Sequence, residues 1–417
     1  MSEARRAFIC VLDSVGIGGA PDAHSFFNDG VPDVGANTLL HIAQACAAGR
    51  CDDRGRVGPL HLPNMDCLGL DAALRLASGE GAPEASAPGT AASWAVLQSA
   101  SAGKDTQTGH WELAGHRLDR DWHYFPRQVP AFPEEAMAAL IAAGDLPGTL
   151  ANCHGSGSDL LTRFGARHME SGQPILYTSA DSVVQIAAHE DTFGLERLLA
   201  LCEVAAEIFH PMNIGRIIAR PFVGTPATGF TRTANRHDYA IAPDGPTLCD
   251  RVQGLGGKVH GIGKIGDIFA GRGIDRVLKA SDDMGLFDRL LETTDQAAPG
   301  DLVFANFVEF DSLYGHRRDL SGYAMALERF DARLPELLSR LAPDDVLLLT
   351  ADHGNDPSWV GTDHTRERVP LLARGVRLAP DVRPFTDLAE IVLGHLRERQ
   401  VTTRVPCVDG SRIASRK

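Results

Sequence analysis

The chain has 417 residues, 44% of them apolar and 43 of them glycine, enough to bury a large core and more than one ordinary compact domain needs. Its formal charge of −14 opposes sequence-independent binding to nucleic acid, yet leaves room for a small anion at a local positive site. Eight scattered cysteines (Cys10, Cys46, Cys51, Cys67, Cys153, Cys202, Cys249 and Cys407) form no C-x-x-C pair, and no apolar run approaches the roughly 18 residues of a membrane span, so a cytoplasmic protein with reduced thiols is expected.

In chain order, the first element is the apolar run Ala7–Leu12, which ends at Asp13 and reads as a buried strand. Residues 82–92 are rich in small side chains and are expected to form a loop. Residues 103–112 (GKDTQTGHWE) form a glycine-flanked polar turn. From about residue 120 to 238 the character changes, with aromatic and proline punctuation at 124–133 and a helical stretch at 194–209, which marks a candidate inserted domain. Residues 254–269 predict another strand and turn, and residues 281–295 a helix. A second buried strand is expected over 302–310, before Asp311. Leu320, Tyr323, Leu327, Phe330, Leu334, Leu337 and Leu341 then recur at helical spacing, with Pro335 expected to kink or split the helix. A third strand, Val346–Thr350, stands shortly before Asp352.

Apolar strands alternating with helices predict an α/β fold with a doubly wound, mostly parallel sheet, whose ligands gather beyond the carboxyl ends of the strands. Those ends carry Asp13, Asp311 with His316, and Asp352 with His353 and His364. A lone aspartate there is more often a cap, and a lone histidine more often a surface or hydrogen-bonded core residue. Three aspartates and three histidines at the ends of three strands are costly to hold together without a cation. Oxygen and imidazole donors without thiolate suit Mn, Zn or Mg.

Thr106 offers a hydroxyl that would become a competent nucleophile only beside a metal ion. Taken alone, its loop reads rather as a glycine-flanked turn in which Asp105 or Thr106 caps a helix.

The stretch 103–111 resembles the nucleophile loop of phosphopentomutases. The likeness extends through 13–18 (DSVGIG), 177–182 (YTSADS), 186–190, 215–222 (GRIIARPF), 230–233, 235–239, 263–265, 315–319 (GHRRD) and 352–367, in order along nearly the whole chain. It implies an alkaline-phosphatase-like core, residues 1–119 and 239–417, interrupted by a smaller α+β cap over 120–238. It further implies two Mn2+ ions, one held by Asp13, Asp352 and His353 and the other by Asp311, His316 and His364. Thr106 would cycle through phosphothreonine, and Asp181, Arg216, Arg232 and Lys264 would hold the substrate. The implied reaction interconverts the 1- and 5-phosphates of ribose or deoxyribose through a bisphosphate, primed by a sugar bisphosphate such as glucose 1,6-bisphosphate. Residues 117–133 and 406–417 match this pattern poorly. The competing expectations are a phosphoglycerate mutase or phosphatase of similar fold, and a silent metal- or sugar-phosphate-binding protein.

Overall fold

A computed structural model describes residues 5–179 and 182–397. Its larger sheet has eight strands in the spatial order Arg276–Leu278, Val259–Ile262, Leu302–Phe307, Ala7–Leu12, Val346–Thr350, Val369–Arg374, Ser93–Gln98 and Val382–Pro384. Only Val369–Arg374 runs against its neighbours. Every residue of Ala7–Leu12, Leu302–Phe307 and Val346–Thr350 is buried, as parallel strands covered on both faces require. The covers are two helix groups, each in contact within itself. Thr38–Ala47, Pro63–Leu68, Leu70–Ser78, Asp283–Gln296 and Leu320–Arg340 form one; Thr106–Leu113, Leu248–Gly254, Ile265–Ile268 and Asp387–Arg397 form the other. The doubly wound, mostly parallel α/β architecture expected from the sequence is therefore present.

Two local details differ from expectation. The strand expected to reach residue 310 stops at Phe307, because the buried Asp283 carboxylate accepts from Val308 N at 3.0 Å and Glu309 N at 3.1 Å and draws the backbone out of the ladder. The chain then turns through the π-helical segment Phe310–Gly315. Leu320–Arg340, for its part, is not split at Pro335. Proline cannot donate to the carbonyl four residues back, and Asn64 Nδ2 donates to that carbonyl, Asp331 O, at 3.0 Å instead.

Residues 82–92 form no helix or strand; Asp71 accepts from Ala82 N at 2.8 Å and Asp66 from Ser86 N at 2.9 Å. Burial pushes the Asp66 carboxyl up from 3.8 to about 6. A carboxyl raised in the folded state favours folding below its unfolded pKa, and that contribution is lost as pH rises through the folded value. Asp66→Asn, which keeps an acceptor for Ser86 N, should therefore gain stability relative to the parent as pH rises from about 4 to about 6. Urea unfolding at both ends of that range measures it; a parent–variant difference independent of pH would refute the assignment.

The middle of the chain forms a second sheet, in the order His237–Ala240, Arg216–Thr225, Val183–His189, Ile175–Thr178 and Leu150–His154, with Gly229–Arg232 paired to the far half of Arg216–Thr225. One face packs Ile186, Ile217 and Ala219 with Leu198, Leu201 and Phe209 of the helix Leu195–Phe209. Tyr177 and Phe222 pack with Leu160 and Leu161 of the helix Gly157–Ser171. Trp122 packs with the core of the larger sheet and Phe125 with that of the smaller, so the packing changes hands between them. Cys10, Cys46, Cys51, Cys202 and Cys249 are buried, Cys67 is exposed and Cys153 intermediate, all as free thiols. Asp181, Cys407 and the segment 406–417 lie outside the described residues. Among the described residues, no helix is long and apolar enough to cross a membrane.

Candidate active site

Three neighbouring parallel strands deliver the acidic residues to one edge of the larger sheet. Asp13 directly follows Ala7–Leu12, Asp311 follows Leu302–Phe307 on the π-helical turn, and Asp352 follows Val346–Thr350. The histidines are interleaved with them. His353 Nε2 stands 3.3 Å from Asp13 Oδ1 and 3.4 Å from Asp352 Oδ2. His364 Nε2 is 3.3 Å from Asp311 Oδ1, and His316 Nε2 is 3.2 Å from Asp311 Oδ2. His353 Nδ1 donates to Gly354 O at 3.0 Å and His316 Nδ1 to Thr362 O at 2.6 Å, which turns each Nε2 toward the carboxylates.

Thr106 opens the helix Thr106–Leu113, whose N-cap Asp105 accepts from Thr108 N at 3.0 Å. The loop is thus a helix cap and a site residue at once. Gly109 lets this helix reach the strand end, since a Cβ there would lie 2.2 Å from Asp352 O. Thr106 Oγ1 is consequently 3.1 Å from His353 Nε2 and donates to Asp13 Oδ1 at 3.4 Å.

Two groups of donor atoms, from Asp13, Asp352 and His353 and from Asp311, His353 and His364, each lie within 4.8 Å of one another, and all these residues are buried. Asp352 Oδ2 and His364 Nε2 are buried without a hydrogen-bond partner. Burial alone would raise the Asp311 carboxyl, but His364 and His316 outweigh it and hold it well below the usual range. Burial likewise opposes a charge on His353, yet Asp352 and Asp13 raise its pKa well above the ordinary value. Charged carboxylates, imidazoles and orphaned donor atoms in one buried cluster fit divalent cation binding. His316 joins the cluster through Asp311, its ring 4.7 Å from that of His364.

Several neighbours were not singled out from the sequence. His110, fully buried, donates from Nδ1 to Thr106 O at 2.8 Å and lies 3.0 Å from Asp352 Oδ2; its position one helical turn after Thr106 was the available signal. Asn306 Nδ2 donates to Asp13 Oδ2 at 2.9 Å, and a lone amide inside the apolar run LVFANF was the signal there. Arg366, nearly buried, donates to Gly103 O at 2.8 Å and pairs with Asp22 at 2.8 Å, anchoring the loop before Thr106. Glu367, buried and raised to about 7 by burial, accepts from Thr38 N, Thr38 Oγ1, Gly18 N and Thr365 Oγ1 behind the site.

The residues expected to bind substrate are less gathered. Arg216 opens its strand in the smaller sheet, 3.9 Å from Asp238, next to Gly215, where a Cβ would sit 3.4 Å from the Gln107 side chain beside Thr106. Arg232 ends its strand and donates to the Tyr177 hydroxyl at 3.4 Å. Lys264 is exposed on the turn after Val259–Ile262.

A family model described as the metalloenzyme superfamily matches residues 5–396, the class that the α/β sheet and the acid–histidine cluster define. Among solved structures, the PH0037 protein from Pyrococcus horikoshii aligns with a TM-score of 0.46 at 16% identity, over 94% of this chain and 98% of that one. A phosphopentomutase from Rhizobium meliloti (strain 1021) is 55% identical over 397 residues, 94% of this chain and 97% of the relative. One from Chelativorans sp. (strain BNC1) is 56% identical over 396 residues, 94% of this chain and 95% of the relative. The chain belongs to the phosphopentomutase family and is an enzyme.

Proposed function

We propose that this enzyme interconverts ribose or deoxyribose 1-phosphate and 5-phosphate in the cytoplasm through a phosphorylated Thr106. The observation that carries the reading is the placement of Thr106 Oγ1, 3.1 Å from His353 Nε2 and 3.4 Å from Asp13 Oδ1 at the edge of the acid–histidine cluster. Asp13, Asp352 and His353 would hold one Mn2+, and Asp311, His316 and His364 the other. Such ions supply Lewis-acid charge that lowers the pKa of the threonine hydroxyl and offsets charge on the phosphoryl oxygens.

Thr106 Oγ attacks the phosphorus of a sugar bisphosphate such as glucose 1,6-bisphosphate, the Oγ–P bond forms, and the P–O bond to the sugar breaks, leaving a sugar hydroxyl that takes up a proton. The phosphoenzyme then gives its phosphoryl group to the free hydroxyl of a pentose monophosphate. The resulting bisphosphate turns over and returns its other phosphate to Thr106. Residues 120–238 would act as a cap over the core segments 1–119 and 239–417, excluding water so that transfer outruns hydrolysis. Arg216 and Arg232 from the cap and Lys264 from the core would grip the phosphate not undergoing transfer, with Asp181 a further substrate contact; Arg supplies a fork for such an anion and Lys a point charge.

A coupled assay of ribose 1-phosphate conversion with Mn2+ and a priming bisphosphate tests the reading, with phosphoglycerate as the competing substrate. Faster turnover of phosphoglycerate would overturn it. Arg216→Ala should lower mutase kcat/KM by about 10- to 100-fold while leaving hydrolysis of a small phosphate ester less affected, because the lost contact is to the substrate and not to Thr106. Equal losses in both assays would remove Arg216 from the substrate.

A further inference from the structure

Arg318 has no part in the chemistry above, yet the loops carrying three of the proposed ligands meet on it. A guanidinium has five N–H donors, and here all five are engaged. Nε donates to Gly361 O at 2.7 Å; one terminal nitrogen donates to Gly315 O at 3.0 Å and Asn355 Oδ1 at 2.5 Å; the other donates to Val360 O at 3.2 Å and Asp363 O at 3.0 Å. Gly315 precedes His316 and Asp363 precedes His364. Asn355 relays the hold, donating from Nδ2 to Asp311 Oδ1 at 2.7 Å.

This half of the cluster leans less on the sheet than the other: Asp311 follows a paired strand, but the His364 stretch is tied down by single contacts such as Asn28 Nδ2 donating to His364 O at 2.8 Å. Asp13, Asp352 and His353 stand just beyond strands locked in register, with Ser14 N donating to Asp352 Oδ1 at 3.1 Å and Asn306 fixing Asp13. His364 lies instead in a stretch, residues 355–364, that contains no helix or strand. Arg318 itself sits at φ +55°, a left-handed conformation that a non-glycine residue adopts only when its surroundings impose it. None of its five acceptors is a carboxylate. A positive charge beside a cation site opposes binding, so what Arg318 offers is the geometry of its fork.

We propose that Arg318 is a positioning residue that assembles the Asp311, His316 and His364 half of the centre and sets the metal affinity of that half alone. The inference rests on those three residues being metal ligands.

The test titrates the metal-free full chain with Mn2+ alone and follows free Mn2+ by electron paramagnetic resonance, in the wild type and in an Asp352→Asn background that isolates the Asp311 half. Arg318→Met should weaken that half by about 10- to 100-fold and leave the other half unchanged. Arg318→Lys keeps the charge but has three donors, and should weaken it as much. Asn355→Ala should act on the same half, and with Arg318→Lys it carries the test if Arg318→Met does not fold by circular dichroism. Equal weakening of both halves, wild-type affinity in Arg318→Lys, or tighter binding in Arg318→Met would each overturn the proposal. If Asp311→Asn retains both binding events, the ligand assignment fails instead. Loss of one event in Asp311→Asn with none weakened in the Arg318 variants refutes the role of Arg318 only.

Discussion

Thr106→Ala is expected to lower mutase turnover by about ten-thousandfold or more while leaving metal and sugar-phosphate binding in place, since the proposed nucleophile is lost and nothing equivalent replaces it. Thr108, two residues on, is the nearest substitute, but it is committed elsewhere. It is buried, its hydroxyl donates to Asp105 Oδ2 at 2.7 Å, and it accepts from Trp122 Nε1 at 2.8 Å. Incubating the parent enzyme with glucose 1,6-bisphosphate should leave one phosphate on the peptide containing Thr106, stable to denaturation. Mass spectrometry locates it. Phosphate on Thr108, or full turnover in Thr106→Ala, would dismiss the mechanism.

Asp311→Asn carries the second large effect. It should reduce bound Mn2+ from about two ions per chain to about one and lower turnover on the order of a thousandfold, the rate equivalent of several kcal/mol of lost charge stabilisation. The other proposed ligands Asp13, Asp352 and His353 are anchored by contacts of their own, so the fold should persist, with the far-ultraviolet circular dichroism unchanged. Elemental analysis of the purified variant decides the matter, and an undiminished metal content would exclude Asp311 as a ligand.

The strand-end aspartates were readable because three largely apolar, fully buried runs each stop at or near an acidic residue, and that pattern follows from a sheet covered on both faces. The expected split at Pro335 is absent for an equally physical reason. The hydrogen bond that keeps its helix whole comes from Asn64, 267 residues from the carbonyl it serves, and periodicity within a helix carries no trace of so distant a donor. Asn306, Asn355 and Arg318 were overlooked on similar grounds, and His110 was set aside as an ordinary surface or core histidine. Each acts through a partner brought alongside by tertiary folding, and a residue type at one position does not say what will face it. Asp181 lies outside the described residues, so its expected contact has no structural counterpart here.

The ladder joining the three central strands also works as a ruler. Ala7–Leu12 lies between Leu302–Phe307 and Val346–Thr350, with Leu12 opposite Phe307 and Val11 opposite Thr350. Adjacent strands stand about 4.8 Å apart, so the spacing between the acidic clusters is set by backbone hydrogen bonds and not by the side chains that point into the site. Slipping the central strand by one residue would carry Asp13 to the opposite face, stranding the threonine without its partner. Substitutions deep in the sheet, far from any substrate, can therefore detune catalysis as surely as changes to the ligands: what they disturb is alignment.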